Sequence, residues 1–258
     1  MRTKVRIRTY KPNVDQKAFH ALTKTTKELL VVSSIRSGKS FAMCHDSLKF
    51  AQNHHNKHEV TLVCGPTFGN LEAPIVNFTV GLAAEWGILG SYAGMPKNRL
   101  VLKNGNQIIY RSLESADKGI RGITAARAYI DETALASEES VDIVRGRLLT
   151  TDGALIMTTT PRGINNWMYG KYIENGKLAG VDYLDFSIFN NPTIKKETID
   201  RLLARYDPLM ARQEIYGEWV NLSTESVYYT FDHIQSIIET KQKEMPTYIG
   251  IDFNVGIN

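Results

Sequence analysis

Cysteine is almost absent from this chain. Only Cys44 and Cys64 occur, both within apolar stretches, so neither a disulfide framework nor a metal-ligand spacing can be drawn from them, and a reducing compartment is the simplest expectation. Long apolar runs are missing too. No stretch of about 18 apolar residues occurs, and the first residues lack the apolar core of a signal peptide, which points to a cytosolic protein without a membrane span. No internal repeat and no low-complexity segment is found. Charge of one sign is scarce as well: 31 Lys and Arg stand against 27 Asp and Glu, a net +4, which permits a polyanionic partner without demanding one.

What is there is an ordinary globular composition, 43% hydrophobic and 22% charged over 258 residues, enough for one large domain with an appendage. Apolar β-rich runs alternate with segments of helical period. Leu29 to Val32 is followed by a helix from about Ser37 to Gln52, and Val60 to Val63 by an amphipathic stretch reaching Trp86. Arg127 to Ile130 and Ala154 to Thr158 read as two more buried strands, separated by the helical pattern Glu138 to Leu148. The rhythm predicts an α/β fold with a mostly parallel sheet and helices on both faces. Between these elements, Arg99 to Leu102 and Gln107 to Tyr110 flank Asn104-Gly105, a two-residue hairpin signal for an inserted antiparallel pair.

The residues that carry chemistry begin at Ser33. The run Ser33-Ser34-Ile35-Arg36-Ser37-Gly38-Lys39-Ser40 leaves an apolar strand and opens a helix, the setting in which backbone N–H groups wrap a phosphate. Lys39 then reaches the β- and γ-phosphates of a nucleotide, and the Ser40 hydroxyl joins the shell of a Mg²⁺ ion. Ser33 stands where the pattern usually has its first glycine. Such a loop calls for an acidic residue at the end of a second strand, and Ala128-Tyr129-Ile130-Asp131-Glu132 supplies it, with Asp131 beside the magnesium and Glu132 placed to polarise the attacking water. The same pair could instead cap the following helix. Thr158-Thr159-Thr160-Pro161 ends the next strand, where hydroxyls can sense the γ-phosphate or simply suit a strand.

Taken together, Ser-x-x-Arg-Ser-Gly-Lys-Ser at 33 to 40, Tyr-Ile-Asp-Glu at 129 to 132 and Thr-Thr-Thr-Pro at 158 to 161 resemble the Walker A, Walker B and coupling motifs of the large subunits of viral terminases. Lys118 to Gly122, with Arg121, is similar to the Arg-Gly element of that family, and Ala211 to Trp219 to the segment closing its ATPase domain. Tyr10-Lys11-Pro12 with Gln16 looks like its adenine-reading glutamine element. The resemblance implies a RecA-like ATPase over residues 1–222, a linker over 223–245 and, over 246–258, the first strand of a truncated RNase H-like nuclease whose first metal carboxylate is Asp252. It further implies ATP and Mg²⁺ as cofactors, and double-stranded DNA, a portal protein, a small terminase subunit and a ring of its own copies as partners, with no membrane. The place of work would be the host cytoplasm, transiently at the procapsid portal vertex.

Two arginines compete for the developing charge of phosphoryl transfer, Arg36 within the loop and Arg121, which the resemblance assigns to a neighbouring subunit's nucleotide. Arg2, Lys4, Arg6 and Arg8 alternate, so a strand there would carry its cations on one face, to grip DNA or as a solvated end. His54, His55 and His58 read as surface histidines, and Trp86, Trp167 and Trp219 as core or lid aromatics. A helicase motor or another P-loop DNA translocase shares the loop, the acidic strand and the threonines. A nucleotide-binding module without turnover would share the loop alone.

Overall fold

The computed structural model describes residues 10–174 and 180–221, all within the unit Met1–Leu222. The alternating N-terminal cations, the linker and the strand carrying Asp252 lie outside the described residues. Helix α1 (Val14–Leu22) is closed at its start by a capping box in which Asn13 and Gln16 satisfy each other's backbone N–H. Strand β1 (Glu28–Ser33), helix α2 (Lys39–Asn53) and strand β2 (Val60–Gly65) follow. The amphipathic stretch up to Trp86 is not one helix. It divides into α3 (Phe68–Leu71), a π-helical turn (Glu72–Asn77) and α4 (Phe78–Glu85), because Pro74 has no N–H to donate within the turn.

Next come β3 (Leu89–Ala93), β4 (Arg99–Leu102), β5 (Gln107–Ser112), α5 (Ala116–Gly119) and β6 (Ala125–Ile130). Helix α6 (Glu138–Gly146) is capped by Ser137, carries Glu138 and Glu139 in its first turn and Arg145 in its last, as the helix dipole favours. Strand β7 (Ala154–Thr159), α7 (Trp167–Tyr169), β8 (Asp182–Phe186), α8 (Lys196–Leu203) and α9 (Pro208–Glu214) complete the described elements. Among them no helix is long and apolar enough to cross a membrane.

Among the described residues the sheet has eight strands in the order β3-β4-β5-β2-β6-β7-β1-β8. From β5 to β8 every pairing is parallel, while β3 and β4 add two antiparallel pairings at one edge. The expected hairpin is thus β4–β5, joined through Lys103 to Asn106, with three residues rather than two enclosed by the last bonded pair, Leu102 and Asn106. Gly105 takes the left-handed conformation at φ 89 and donates to Leu102 O at 2.9 Å, and Leu102 N donates to Asn106 O at 2.8 Å, the geometry of a turn followed by a left-handed residue. Strands β3 and β8 had no sequence signal, β3 because it is short and exposed, β8 because its face is mixed.

The central strands are buried almost throughout, and their successive side chains take opposite faces, which sets the layers. Leu29, Val31, Val63, Tyr129 and Ile156 pack with α1, α2 and α4, whereas Leu30, Val32, Leu62, Ala128, Ile130, Leu155 and Met157 pack with α5 and α6. Strands covered on both faces must read as continuous apolar runs, as these do. A smaller cluster of Ile188, Ile199 and Ile215, with Ile35 against it, seats α8 and α9 beside the end of β1.

One buried carboxylate fastens the first layer to the sheet. Asp46 of α2 accepts from Tyr129 Oη at 2.6 Å, Thr23 Oγ1 at 3.0 Å and His20 Nδ1 at 3.1 Å, and pairs with Arg127 at 3.3 Å. Burial pushes its pKa up, but the His20 and Tyr129 hydrogen bonds and the Arg127 charge outweigh it, and the group is held below its ordinary value. A depressed carboxylate pKa gives stability that is whole above the unfolded value of about 4 and is lost as pH falls through the folded one. Asp46→Ala is therefore expected to cost about 3 kcal/mol in urea unfolding at neutral pH, since it strands several partners at once. The difference from wild type should shrink in acid, below about pH 4.

Candidate functional site

Because β1, β7 and β6 are parallel neighbours, the segments leaving their carboxyl ends meet, and these are the phosphate-loop run, the threonine run and the acidic pair. The loop begins at Ser33, whose Oγ donates to Thr159 O at 3.3 Å. The side chain at the first-glycine position is thus turned into β7, away from the loop. Ser34 N donates to Phe186 O at 3.1 Å and Ile35 N to Glu214 O at 2.8 Å, fixing the loop's first half to β8 and α9. Arg36 and Gly38 then adopt left-handed backbones, φ 54 and 95. At Gly38 it is this left-handed backbone that calls for glycine; a Cβ would also displace the movable end of Gln16, 2.8 Å away.

Helix α2 opens with no side chain capping its first turn, which leaves N–H groups directed at the loop. Ser37 Oγ is buried and makes no hydrogen bond. An orphaned buried hydroxyl beside uncapped amides is the chemistry of an anion site.

Asp131, 6% exposed, accepts from Ser40 Oγ at 2.8 Å and from Thr158 Oγ1 at 2.5 Å. Burial raises its pKa above the ordinary value, Lys39 opposes this and Glu132 reinforces it. Glu132 is left-handed, φ 50, which turns its carboxylate back over the loop. There Oε1 pairs with Lys39 Nζ at 2.7 Å, Oε2 accepts from Thr160 N at 3.3 Å, and Lys39 Nζ donates to Thr160 Oγ1 at 3.1 Å. Thr159 Oγ1 accepts from Ala134 N at 3.1 Å. The three threonines therefore serve differently: Thr158 holds Asp131, Thr159 braces the turn after the acidic pair, and Thr160 bridges Lys39 and Glu132.

Two cavities adjoin this cluster. One of about 230 Å³ is lined by Ser40, Asp131, Glu132, Gly65, Asn70 and Pro74. The other, about 610 Å³, lies on the far side of Gly38 among Tyr10, Gln16, Phe41, Phe78 and Asn191 to Thr193, large enough for a nucleoside with aromatic walls. A third, of about 530 Å³ beside Asp46 and Trp86, contains none of the loop residues. Gln16 stands at the second cavity's edge with its amide engaged: Oε1 accepts from Asn13 N at 3.1 Å and Nε2 donates to Gly38 O at 3.2 Å.

Arg36 is exposed at the loop's apex. Arg121 is exposed in the loop that feeds β6 at its amino end, where Thr124 O accepts from Val60 N at 3.1 Å. Two residues before Arg121, Gly119 O accepts from Arg111 Nε at 3.0 Å. Asp252 lies outside the described residues. Sequence reading missed Asp15, Asn190, Asn191 and Gly217, which brace the loop; Asn190-Asn191-Pro192 signals a turn but says nothing of what the turn touches. Trp167 donates from Nε1 to Ala136 O at 2.8 Å and so pins the segment after the acidic pair. His54 pairs with Glu59 at 3.0 Å.

A family model described as terminase large subunit, T4likevirus-type, N-terminal, matches residues 30–236. Among solved structures, the large terminase of a thermophilic bacteriophage superposes with a TM-score of 0.72 at 22% identity, over 81% of this chain and 54% of that one. The same protein in complex with ATP-γ-S gives 0.70 at 21% identity, over 81% and 53%. The large terminase ATPase domain of Thermus phage P74-26 gives 0.66 at 20% identity, over 82% and 95%. This chain thus spans about half the length of the thermophilic bacteriophage's protein, and the likeness shows the fold, a RecA-like α/β sheet. No curated protein matches.

A buried carboxylate whose pKa is raised works against folding above that pKa. Asp131→Asn, which keeps an acceptor for Thr158, should therefore raise the thermal midpoint of the ligand-free chain, by roughly 2–4 °C for each kcal/mol of relieved desolvation. Differential scanning calorimetry at pH 7 checks this; an unchanged or lower midpoint would mean that the Ser40 and Thr158 hydroxyls already offset the burial.

Proposed function

The chain belongs to the family of terminase large subunits, T4likevirus-type, as its N-terminal part, and on that premise we propose that it hydrolyses ATP to drive double-stranded viral DNA into a preformed procapsid. The observation that carries the proposal is the contact of Lys39 Nζ with both Glu132, at 2.7 Å, and Thr160, at 3.1 Å, beside the Ser40–Asp131 hydrogen bond. A cation, an acid and a hydroxyl–carboxylate pair converge where a triphosphate's end would lie. The thermophilic bacteriophage's large terminase, of the same fold, has been solved with ATP-γ-S, which supports ATP as the nucleotide.

The amides of Arg36 to Ser40 would wrap the β-phosphate, and Lys39 would leave Glu132 for the β- and γ-oxygens. That exchange frees Glu132 to accept a proton from the attacking water while Thr160 keeps its orientation. Ser40 Oγ and Asp131 form an all-oxygen pair suited to Mg²⁺, which takes one or two carboxylates and fills its shell with water and phosphate; bound there, the ion would neutralise charge on the phosphates. The nucleoside would lie in the 610 Å³ cavity, with Gln16 beside the base. Release of the γ-phosphate returns Lys39 to Glu132 and Thr160, moving the end of β7.

Contacts to DNA should be mainly to phosphates, since a motor that passes every sequence cannot depend on base edges. We propose a portal protein, a small terminase subunit and a ring of copies as partners, at the procapsid vertex in the host cytoplasm; family membership supports packaging with phage components. In such a ring Arg121, exposed on the segment between β5 and β6, would meet a neighbour's nucleotide, whereas Arg36 is the candidate within its own chain.

Lys39→Ala should abolish turnover and weaken nucleotide binding. Glu132→Gln should still bind ATP with Mg²⁺ but hydrolyse it at least ~10²-fold more slowly; a phosphate-release assay beside calorimetric titration separates the two, and near-normal turnover in either variant would overturn the assignment. For Arg121 the test is complementation. Arg121→Ala keeps its loop and Lys39→Ala keeps its arginine, so mixing the two inactive variants should restore part of the activity if the arginine acts between subunits. No rescue, with the same loss at every protein concentration, would place the role within one chain.

A further inference from the structure

The loop's apex is held by a residue that no motif marks. Asn191 Nδ2 donates to Arg36 O at 2.6 Å, and Arg36 is the non-glycine residue of the loop with a left-handed backbone, φ 54. Such a conformation disfavours any residue with a Cβ and persists only where its surroundings impose it. Asn191 is itself fixed, because its Oδ1 accepts from Thr193 N at 3.1 Å and Thr193 Oγ1 at 2.8 Å. The segment before it is tied down as well. Ile188 N donates to Ser34 Oγ at 2.6 Å, Ser187 N to Asp15 Oδ2 at 3.0 Å and Asn190 Nδ2 to Asp15 Oδ1 at 2.8 Å. A donor on a rigid mount thus meets the one strained carbonyl of the loop, while Asn191, Pro192 and Thr193 line the cavity beside Gly38.

We propose that Asn191 is a positioning residue for nucleotide binding: by holding the Arg36 carbonyl it keeps the phosphate loop's apex left-handed before the nucleotide arrives, and with it the aim of the Arg36 side chain. Without that hydrogen bond Arg36 relaxes toward a right-handed backbone, and binding must restore the strained form out of its own free energy. The effect runs through Arg36, so it depends on residue 36 having a Cβ. Glycine there enters the left-handed region without penalty, and the hold becomes dispensable.

The proposal rests on nucleotide binding at this loop, and the experiment is a double-mutant cycle on the full chain, read as the Kd of ATP-γ-S with Mg²⁺ by isothermal titration calorimetry. Asn191→Ala alone is expected to raise the Kd roughly fivefold, the worth of one hydrogen bond of about 1 kcal/mol. In an Arg36→Gly background the same change should raise it less than about twofold. Asn191→Leu, which keeps the bulk without the donor, goes through the same cycle, so the comparison survives if the alanine variant does not fold. Equal losses in both backgrounds would overturn the proposal and make Asn191 a wall of the cavity or a direct ligand contact; no loss in either would overturn it outright. Lys39→Ala run alongside separates the two levels. If it binds as wild type does, the nucleotide reading has failed, and if it loses binding while the cycle shows no coupling, only the role of Asn191 has.

Discussion

Two carboxylates and one ammonium group, Asp131, Glu132 and Lys39, meet largely out of water at the ends of three parallel strands, and the surrounding structure is what makes that tolerable. Buried charge is costly unless paired and hydrogen-bonded. Here β7 lies between the strand that carries the loop and the strand that carries the acids, so its threonines reach both. Thr158 takes one oxygen of Asp131 and Ser40 the other, and Thr160 supplies a hydroxyl to Lys39 and an amide to Glu132. A valine at 158 or 160 would suit a β-strand equally well but would leave one of these charges short of a partner. The threonine run is therefore dictated by electrostatics, with strand propensity merely permitting it.

The same cluster explains where the backbone is strained. Among the described residues four other than glycine have positive φ, Arg36, Asn98, Glu132 and Asp152, and two of them belong to the site. Each such residue costs on the order of 1–2 kcal/mol. At Glu132 the turn brings the carboxylate back over Lys39; at Arg36 it reverses the loop ahead of α2. The bracing comes from β8, α9 and the turn after β8, which explains why Ile35 packs into the small cluster of Ile188, Ile199 and Ile215 and why Gly217, at φ 73 and with a hypothetical Cβ 3.1 Å from Ser34 N, must be glycine.

How much of this was legible in the sequence follows from contact range. Gly38-Lys39-Ser40 after an apolar strand, and Asp131-Glu132 after another, announce themselves because strand, loop and helix are consecutive in the chain. The parallel sheet with two covered faces was readable from uninterrupted apolar strands. The threonines were ambiguous, since their neighbours in sequence do not reveal that β7 sits between β1 and β6. The loop's supports were invisible, because Ser34 with Ile188 and Asn191 with Arg36 are about 155 residues apart. Gln16 was found by resemblance, yet its amide oxygen accepts from Asn13 and its amide nitrogen donates to Gly38, a linkage from α1 to the loop that no local pattern contains. At the hairpin, Asn104-Gly105 gave the right place but a connection one residue too short, since the left-handed Gly105 suits either turn.

A site that concentrates strain and buried charge leaves the ligand-free chain less stable than its core would allow, and a ligand able to relieve both acquires leverage. Phosphate oxygens would satisfy Ser37 Oγ and the uncapped amides of α2, and would draw Lys39 away from Glu132. Binding to the folded state alone stabilises it by RT ln(1 + [L]/Kd), about 2.7 kcal/mol at a hundredfold excess over Kd. Because the loop's amides and hydroxyls are anchored at once to α1, β7, β8 and α9, that gain is spread over elements far apart in sequence. On the proposed reading the consequence is mechanical. An event at one phosphate would shift Lys39, hence Thr160 and the end of β7, and through Ile35 and Glu214 the last described helix, so the geometry that holds the charges would also be the route by which their rearrangement leaves the site.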